Sequence, residues 1–259
     1  MAPTPRRLVG RTALITGASR GIGAAVARRF AAEGAAVAIG HEPTAEMARL
    51  AGDLAAELVG QGARAVALGA DLADPAGIDG LVAAARSELG PLDIVVANAA
   101  ASGRRHFTEL SLQEWDLVQA VNTRGTWLLA KAAYPDLKAS GHGSMITLTS
   151  VMVMTGQPDA LHYTASKAAI LGMTRELARE MGPDGVRINA VMPGAIRTEQ
   201  EVEMAPDADD VAARILPKQS LQRRGYADDL SGAFAFLASD DAAFITGQVI
   251  CVDGGWVMY

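Results

Sequence analysis

Short apolar runs alternate with longer Ala-rich stretches along nearly the whole chain, and this order constrains the fold more than any other feature. The runs are "TALIT" 12–16, "AAVAI" 35–39, "ARAVALG" 63–69, "LDIVVA" 92–97, "GSMITLT" 143–149, "VRINAV" 186–191 and "GQVICV" 247–252. They are short and lack clean polar alternation, as expected of strands covered on both faces. Helix-period stretches fill 22–33, 44–60, 75–89, 111–139, 160–181 and 226–238. Strands separated by helices make a parallel sheet with crossovers, so the expected fold class is α/β with helices on both faces of the sheet. Asp74-Pro75 and Ser111 mark two helix starts, Pro in a first turn and Ser as an N-cap.

The alternation runs without a linker, so residues 1–259 are expected to form a single domain. One segment breaks the rhythm: 194–225 is charged and Pro-interrupted where a plain crossover is due. Insertions of this kind after a strand are often lids over a site, with a peripheral helical insertion as the alternative.

"TALITGASRGIGAAVARRF" places Gly17, Gly21 and Gly23 between the first strand and the first helix. Glycines there permit positive φ and close approach of a ligand's phosphates, and the helix beyond offers unpaired N–H groups. The spacing is G-x-x-x-G-x-G, and in this position it favours a dinucleotide cradle. At the end of the second strand an acid would bind the ribose of NAD. Here His41 stands in its place and Arg20 sits in the glycine turn, which favours the 2′-phosphate of NADP(H); Glu42 argues for NAD(H). NADP(H) is therefore favoured over NAD(H).

Further on, "LHYTASKAAI" carries Tyr163 and Lys167 four residues apart, one turn along one helix face. By itself that pair is compatible with an idle polar face.

Several functions are disfavoured. A net charge of −6 argues against nucleic-acid binding, which needs a basic footprint. Cys251 is the single cysteine, read as a buried strand residue, and the four histidines lack ligand spacing, so no metal site is expected. No apolar segment follows the N-terminal arginines, and no run of about 18 apolar residues occurs, so a cytoplasmic protein with no membrane partner is expected.

Read together, the motifs resemble the short-chain dehydrogenase/reductase family in its single-domain form. "TGASRGIG" 16–23, which includes Ser19, Arg20 and Ile22, is similar to the family's T-G-x-x-x-G-x-G, and "YTASK" 163–167 to its Y-x-x-x-K. "DL", Asp71 and Leu72, sits where the family contacts adenine. Asn122 in "AVNTRG" and Ser150 in "ITLTS" match the catalytic asparagine and serine. "PGAIRT" 193–198, with Pro193, Gly194, Ile196 and Thr198, is similar to the segment along the nicotinamide, and "VDGG" 252–255 to the C-terminal motif. "ANAA" 97–100 departs from the family's N-N-A-G: Asn98 and Ala99 are kept, while Ala97 and Ala100 replace Asn and Gly. The methyl of Ala100 bears on backbone approach beside the nicotinamide.

The resemblance implies a Rossmann-type, doubly wound sheet of about seven strands in three layers, α/β/α. It implies NAD(P)(H)-dependent interconversion of a ketone and a secondary alcohol. Tyr163 would transfer the proton, with its pKa of about 10 drawn down by Lys167 together with the positive oxidised nicotinamide. Lys167 would also bind the nicotinamide ribose, Ser150 would hold the substrate oxygen, and Asn122 would hold a relay water. Met152 and Met154, beside Ser150, suggest an apolar substrate pocket, and the Arg104–Arg105 pair is either solvated or an attractor for phosphate. His162 lies about 100° around the helix from Tyr163 and reads as a packing or lid residue. The resemblance further implies a homotetramer, or a dimer, through the helices near 111–139 and 160–181. A non-catalytic dinucleotide sensor and an epimerase or dehydratase are the competing readings. The presence of Ser150, Tyr163 and Lys167 weighs against the sensor, and the chain's end soon after the seventh strand against the epimerase or dehydratase.

Overall fold

The computed structural model describes residues 6–258, so residues 1–5 of the N-terminal stretch read for a secretory signal lie outside the described residues. Each of the seven apolar runs forms a strand of one parallel sheet: β1 (Thr12–Ile15), β2 (Ala36–His41), β3 (Ala65–Gly69), β4 (Ile94–Ala97), β5 (Ser144–Leu148), β6 (Arg187–Pro193) and, after two short strands, β9 (Val249–Val252). The order is β3-β2-β1-β4-β5-β6-β9. The direction of winding reverses between β1 and β4, and a doubly wound sheet opens its ligand crevice at such a point, beyond the strands' C-terminal ends.

Why the strands read as unbroken apolar runs is visible in the packing. Neighbouring residues point to opposite faces, and in the inner strands β1, β4 and β5 both members of each pair are buried. Ile15, Val96 and Ile146 pack on one face with Val26 and Phe30 of α1 (Gly21–Ala32), Leu54 and Leu58 of α2 (Ala45–Gly60) and Phe234 of α10 (Ala227–Ala238). Leu14, Val95 and Met145 pack on the other with Ile78 and Leu81 of α3 (Pro75–Leu89) and Leu129 and Leu137 of α5 (Gly125–Ala139). Met181 of α7 (Leu161–Met181) belongs to this second layer. At about 25 cal/mol per Å² of apolar surface, these two sandwiched layers supply the main drive for folding.

The helix starts are as expected. Asp74 caps α3 through Ala76 N–H at 3.1 Å with Pro75 in the first turn. Ser111 caps α4 (Leu112–Val118) in a capping box with Glu114.

Two stretches differ from the expected pattern. The helix expected over 111–139 contains a π turn at Gln119–Arg124 between α4 and α5. The break at 194–225 resolves into β7 (Ile196–Arg197), α8 (Glu199–Met204), α9 (Ala208–Ile215), a 3₁₀ turn at Leu216–Lys218 and β8 (Gly225–Tyr226), with β7 and β8 paired in parallel. A short helix, α6 (Met152–Thr155), also follows Ser150. Cys251 lies in β9, partly rather than fully buried, because β9 is the sheet's edge strand. No described helix is long and apolar enough to cross a membrane.

Candidate active site

The glycine turn leaves the end of β1 at the switch point. Its hydrogen bonds tie it to both neighbouring strands: Thr16 N–H donates to Val96 O at 3.0 Å and Ala18 N–H to Gly40 O at 2.9 Å. Gly17 and Gly21 adopt φ +62° and +60°, a region that disfavours side chains. Gly23 is required for a different reason: a Cβ there would stand 2.4 Å from Gly17 O and 2.7 Å from Asn98 Nδ2. Asn98, at the end of β4, donates from Nδ2 to Thr16 O and Gly17 O, each at 2.9 Å. Asn98 thus splints the cradle. Thr16 completes the joint, its hydroxyl accepting from the N–H groups of Asn98 at 3.1 Å and Ala99 at 3.2 Å. Thr16 is the first residue of the "TGASRGIG" motif, and its hydroxyl is what joins the turn to the end of β4.

A cavity of about 600 Å³ runs from this turn across the C-terminal ends of the strands. That size lies within the usual range for small-molecule sites, roughly 300–1,000 Å³. Gly17, Ser19, Arg20, Gly21 and Ile22 line one end, with His41 and Glu42 beside them. Asp71 and Leu72 follow the edge strand β3, Asn98, Ala99 and Ala100 follow β4, and Pro193, Gly194, Ile196 and Thr198 line the cavity from the end of β6 onward. Ser150, Tyr163 and Lys167 reach it from β5 and α7. An open glycine turn at the N-terminus of the twelve-residue α1 faces this cavity, so the residues fit a dinucleotide's phosphates.

Three expected residues stand behind the lining rather than in it. Gly23 supports the turn, as above. Asn122 is buried in the π turn, and its amide bridges two elements. Nδ2 donates to Ala101 O and Ser166 Oγ, both at 2.9 Å, and Oδ1 accepts from Ala101 N–H at 2.8 Å. Both amide protons are therefore used, so the side chain positions the loop after β4 against α7, and the main-chain carbonyl of Asn122 accepts from Thr126 Oγ1 at 2.7 Å. Ser166, which passes the contact on by donating to Tyr163 O at 2.7 Å, was a residue that sequence reading missed. Met152 is the third: its N–H donates to Ser150 Oγ at 3.2 Å, but its side chain is not among the cavity's lining, and Met154 is half-exposed. Both belong to α6, the short helix that follows Ser150.

Lys167 is buried, with Nζ donating to Leu148 O at 3.0 Å and lying 5.7 Å from the centre of the Tyr163 ring. Thr149 Oγ1 donates to Lys167 O at 2.9 Å, which locks α7 to the end of β5. Burial lowers the Lys167 ammonium to about 8. The Tyr163 phenol goes the opposite way to the expectation. Burial raises it, while its hydrogen bond with Ser150 and the charge of Arg104 pull it part of the way back. Desolvation disfavours a phenolate, and the Lys167 ammonium is engaged by a carbonyl rather than by the phenol oxygen. Burial thus favours the protonated phenol.

His41 is buried, within β2 rather than in an exposed loop, and its Nδ1 meets Glu42 O at 2.7 Å. His162 packs with Nε2 3.3 Å from the point where a Gly103 Cβ would lie, which agrees with a packing role. Arg105 pairs with Glu114 at 3.1 Å, and Arg104 rests on Pro158 O at 3.2 Å, so the pair is not simply solvated.

Comparison with known proteins agrees with this geometry. A family model described as "Enoyl-(Acyl carrier protein) reductase" matches residues 17–257. The chain is 38% identical over 249 residues to the L-rhamnose 1-dehydrogenase (NAD(P)(+)) of Azotobacter vinelandii, covering 96% of this chain and 97% of that one. It is 36% identical over 249 residues to the 3-oxoacyl-[acyl-carrier-protein] reductase FabG of Escherichia coli, covering 96% and 98%. Among solved structures, a blue fluorescent protein from a metagenomic library in complex with NADPH superposes with a TM-score of 0.90 at 36% identity, covering 97% of this chain and 100% of that one. A putative short-chain alcohol dehydrogenase from Sinorhizobium meliloti gives 0.90 at 37%, covering 97% and 98%. The chain belongs to the short-chain dehydrogenase/reductase family of oxidoreductases.

Proposed function

We propose that the protein is a cytoplasmic oxidoreductase that interconverts a small-molecule ketone and the secondary alcohol, using NADP(H) in preference to NAD(H). The observation that carries this reading is the convergence of Ser150, Tyr163 and Lys167 on the cavity whose far end is the glycine turn. The residues act in one 1–259 domain, with 194–225 as the lid. The nicotinamide, when bound, supplies the hydride.

In the reducing direction Ser150 donates a hydrogen bond to the carbonyl oxygen and stabilises its developing charge. Tyr163, kept protonated by burial, hands its proton to that oxygen. Lys167 orients the nicotinamide ribose and, as an ammonium, steadies the phenolate that Tyr163 becomes. Asn122 positions the loop after β4 and is the residue that would hold a relay water. A panel of ketones and secondary alcohols run with all four cofactors tests this reading; turnover of none of them, with cofactor bound, favours the non-catalytic alternative.

A pH profile follows from Lys167. Its charged form is present below about 8 and lost above it, whereas Tyr163 stays protonated through that range. The kcat/KM for reduction is therefore expected to be flat below pH 8 and to fall as pH rises beyond it. In Lys167→Arg the charge persists and that limb moves out of range. A profile that climbs above pH 8 contradicts the assignment.

The same reading includes a homotetramer assembled through α4, α5 and α7. Leu112 is 81% exposed, and Leu117, Trp127 and Leu161 are about half-exposed, an apolar face that another copy would cover. Trp127→Glu is expected to shift light scattering from a tetramer to a smaller species; a monomeric parent protein contradicts this part.

A further inference from the structure

α8 turns carboxylates toward the glycine cradle. Glu199 and Glu203 stand four residues apart on one face of this helix. Glu203 forms an ion pair with Arg20, the residue that precedes α1. Glu199 Oε2 lies 3.7 Å from the position a Cβ on Gly21 would take. Glu201 points elsewhere: it meets Arg224 at 2.6 Å and Arg197 at 3.3 Å, anchoring α8 to the β7–β8 ribbon. The helix is therefore fixed on one side while its other carboxylates rest on the turn.

Apart from Lys167 at the catalytic end, Arg20 is the only lysine or arginine among the described residues that line the cavity. At the end of β2, His41 has its Nδ1 occupied by a backbone carbonyl, and Glu42 is acidic. A 2′-phosphate arriving there has Arg20 as its main cationic partner, and Arg20 is already paired. NAD carries no such phosphate and can bind with the pair intact. We propose that Glu203 is a specificity-determining residue, which weakens the preference for NADP(H) by holding Arg20 in competition with the 2′-phosphate. This rests on the dinucleotide site proposed above.

Both side chains are partly exposed, so the competing pair is a modest one. Removing it in Glu203→Gln is expected to tighten NADPH binding about two- to fivefold with little change for NADH. Equilibrium titration of cofactor fluorescence measures both constants without turnover. In an Arg20→Gln background the Glu203→Gln effect on NADPH is expected to disappear, since no cation remains to be released.

Equal changes for NADPH and NADH would overturn the proposal, because they would report a lid effect common to both. A gain for NADPH that survives in the Arg20→Gln background would also overturn it, since Glu203 would then act by repulsion alone. Failure of the parent protein to bind either cofactor is a separate result and would contradict the dinucleotide site itself.

Discussion

Tyr163→Phe is expected to lower kcat for carbonyl reduction by about 10²–10⁴-fold, the usual contribution of a positioned proton donor. The NADPH dissociation constant should stay essentially unchanged. The reason lies in where the hydroxyl is. It belongs to a side chain that lines the cavity together with Ser150, and burial keeps it protonated, so its removal deletes the proposed proton donor while leaving the glycine turn and Asn98 untouched. The ring remains to pack, which makes loss of folding a poor explanation for lost turnover. Steady-state rates and a binding titration on the same preparation check both halves. Unchanged kcat in the variant would remove Tyr163 from the reaction.

Gly23→Ala carries the second large effect, on binding and stability rather than chemistry. The new methyl would meet Gly17 O at 2.4 Å and Asn98 Nδ2 at 2.7 Å, and the first of these is backbone that cannot rotate away. Overpacking of this kind costs about 1–3 kcal/mol. In a chain of this size each kcal/mol corresponds to roughly 2–4 °C in Tm. Relief requires the turn to open or Asn98 to let go, and either one spoils the phosphate cradle, so NADPH binding should weaken at least about tenfold. Thermal melts with and without NADPH separate the two effects: the parent protein gains stability from the ligand, and the variant should gain much less. An equal gain in both would show that the cradle tolerates the methyl.

Much of this architecture was legible because it depends on local pattern. Unbroken apolar runs between helical stretches specify a sheet buried on both faces, and Ser111 and Asp74 mark helix starts through hydrogen bonds only two or three residues long. The same holds for Tyr163 and Lys167, whose helical spacing is a local fact. What escaped reading depends on contacts distant in sequence. The π turn at Gln119–Arg124 coincides with Asn122 reaching Ala101 and Ser166, and no local propensity encodes that. The upward displacement of Tyr163 comes from burial, which the residues of α7 alone do not reveal. Arg20 looked available to a phosphate, and its pairing with Glu203 spans 183 residues of sequence.

The proposed function rests on hydride transfer between a nicotinamide and a carbonyl carbon in front of Ser150 and Tyr163. It is tested most directly by incubating the parent protein with NADPH dideuterated at nicotinamide C4 and a panel of ketones, then reading the products by mass spectrometry and NMR. The expected product is an alcohol bearing one deuterium at the carbinol carbon for each NADPH consumed, with label transfer slowed about 10²–10⁴-fold when Tyr163→Phe replaces the parent protein. Cofactor binding without label transfer to any ketone in the panel would contradict it.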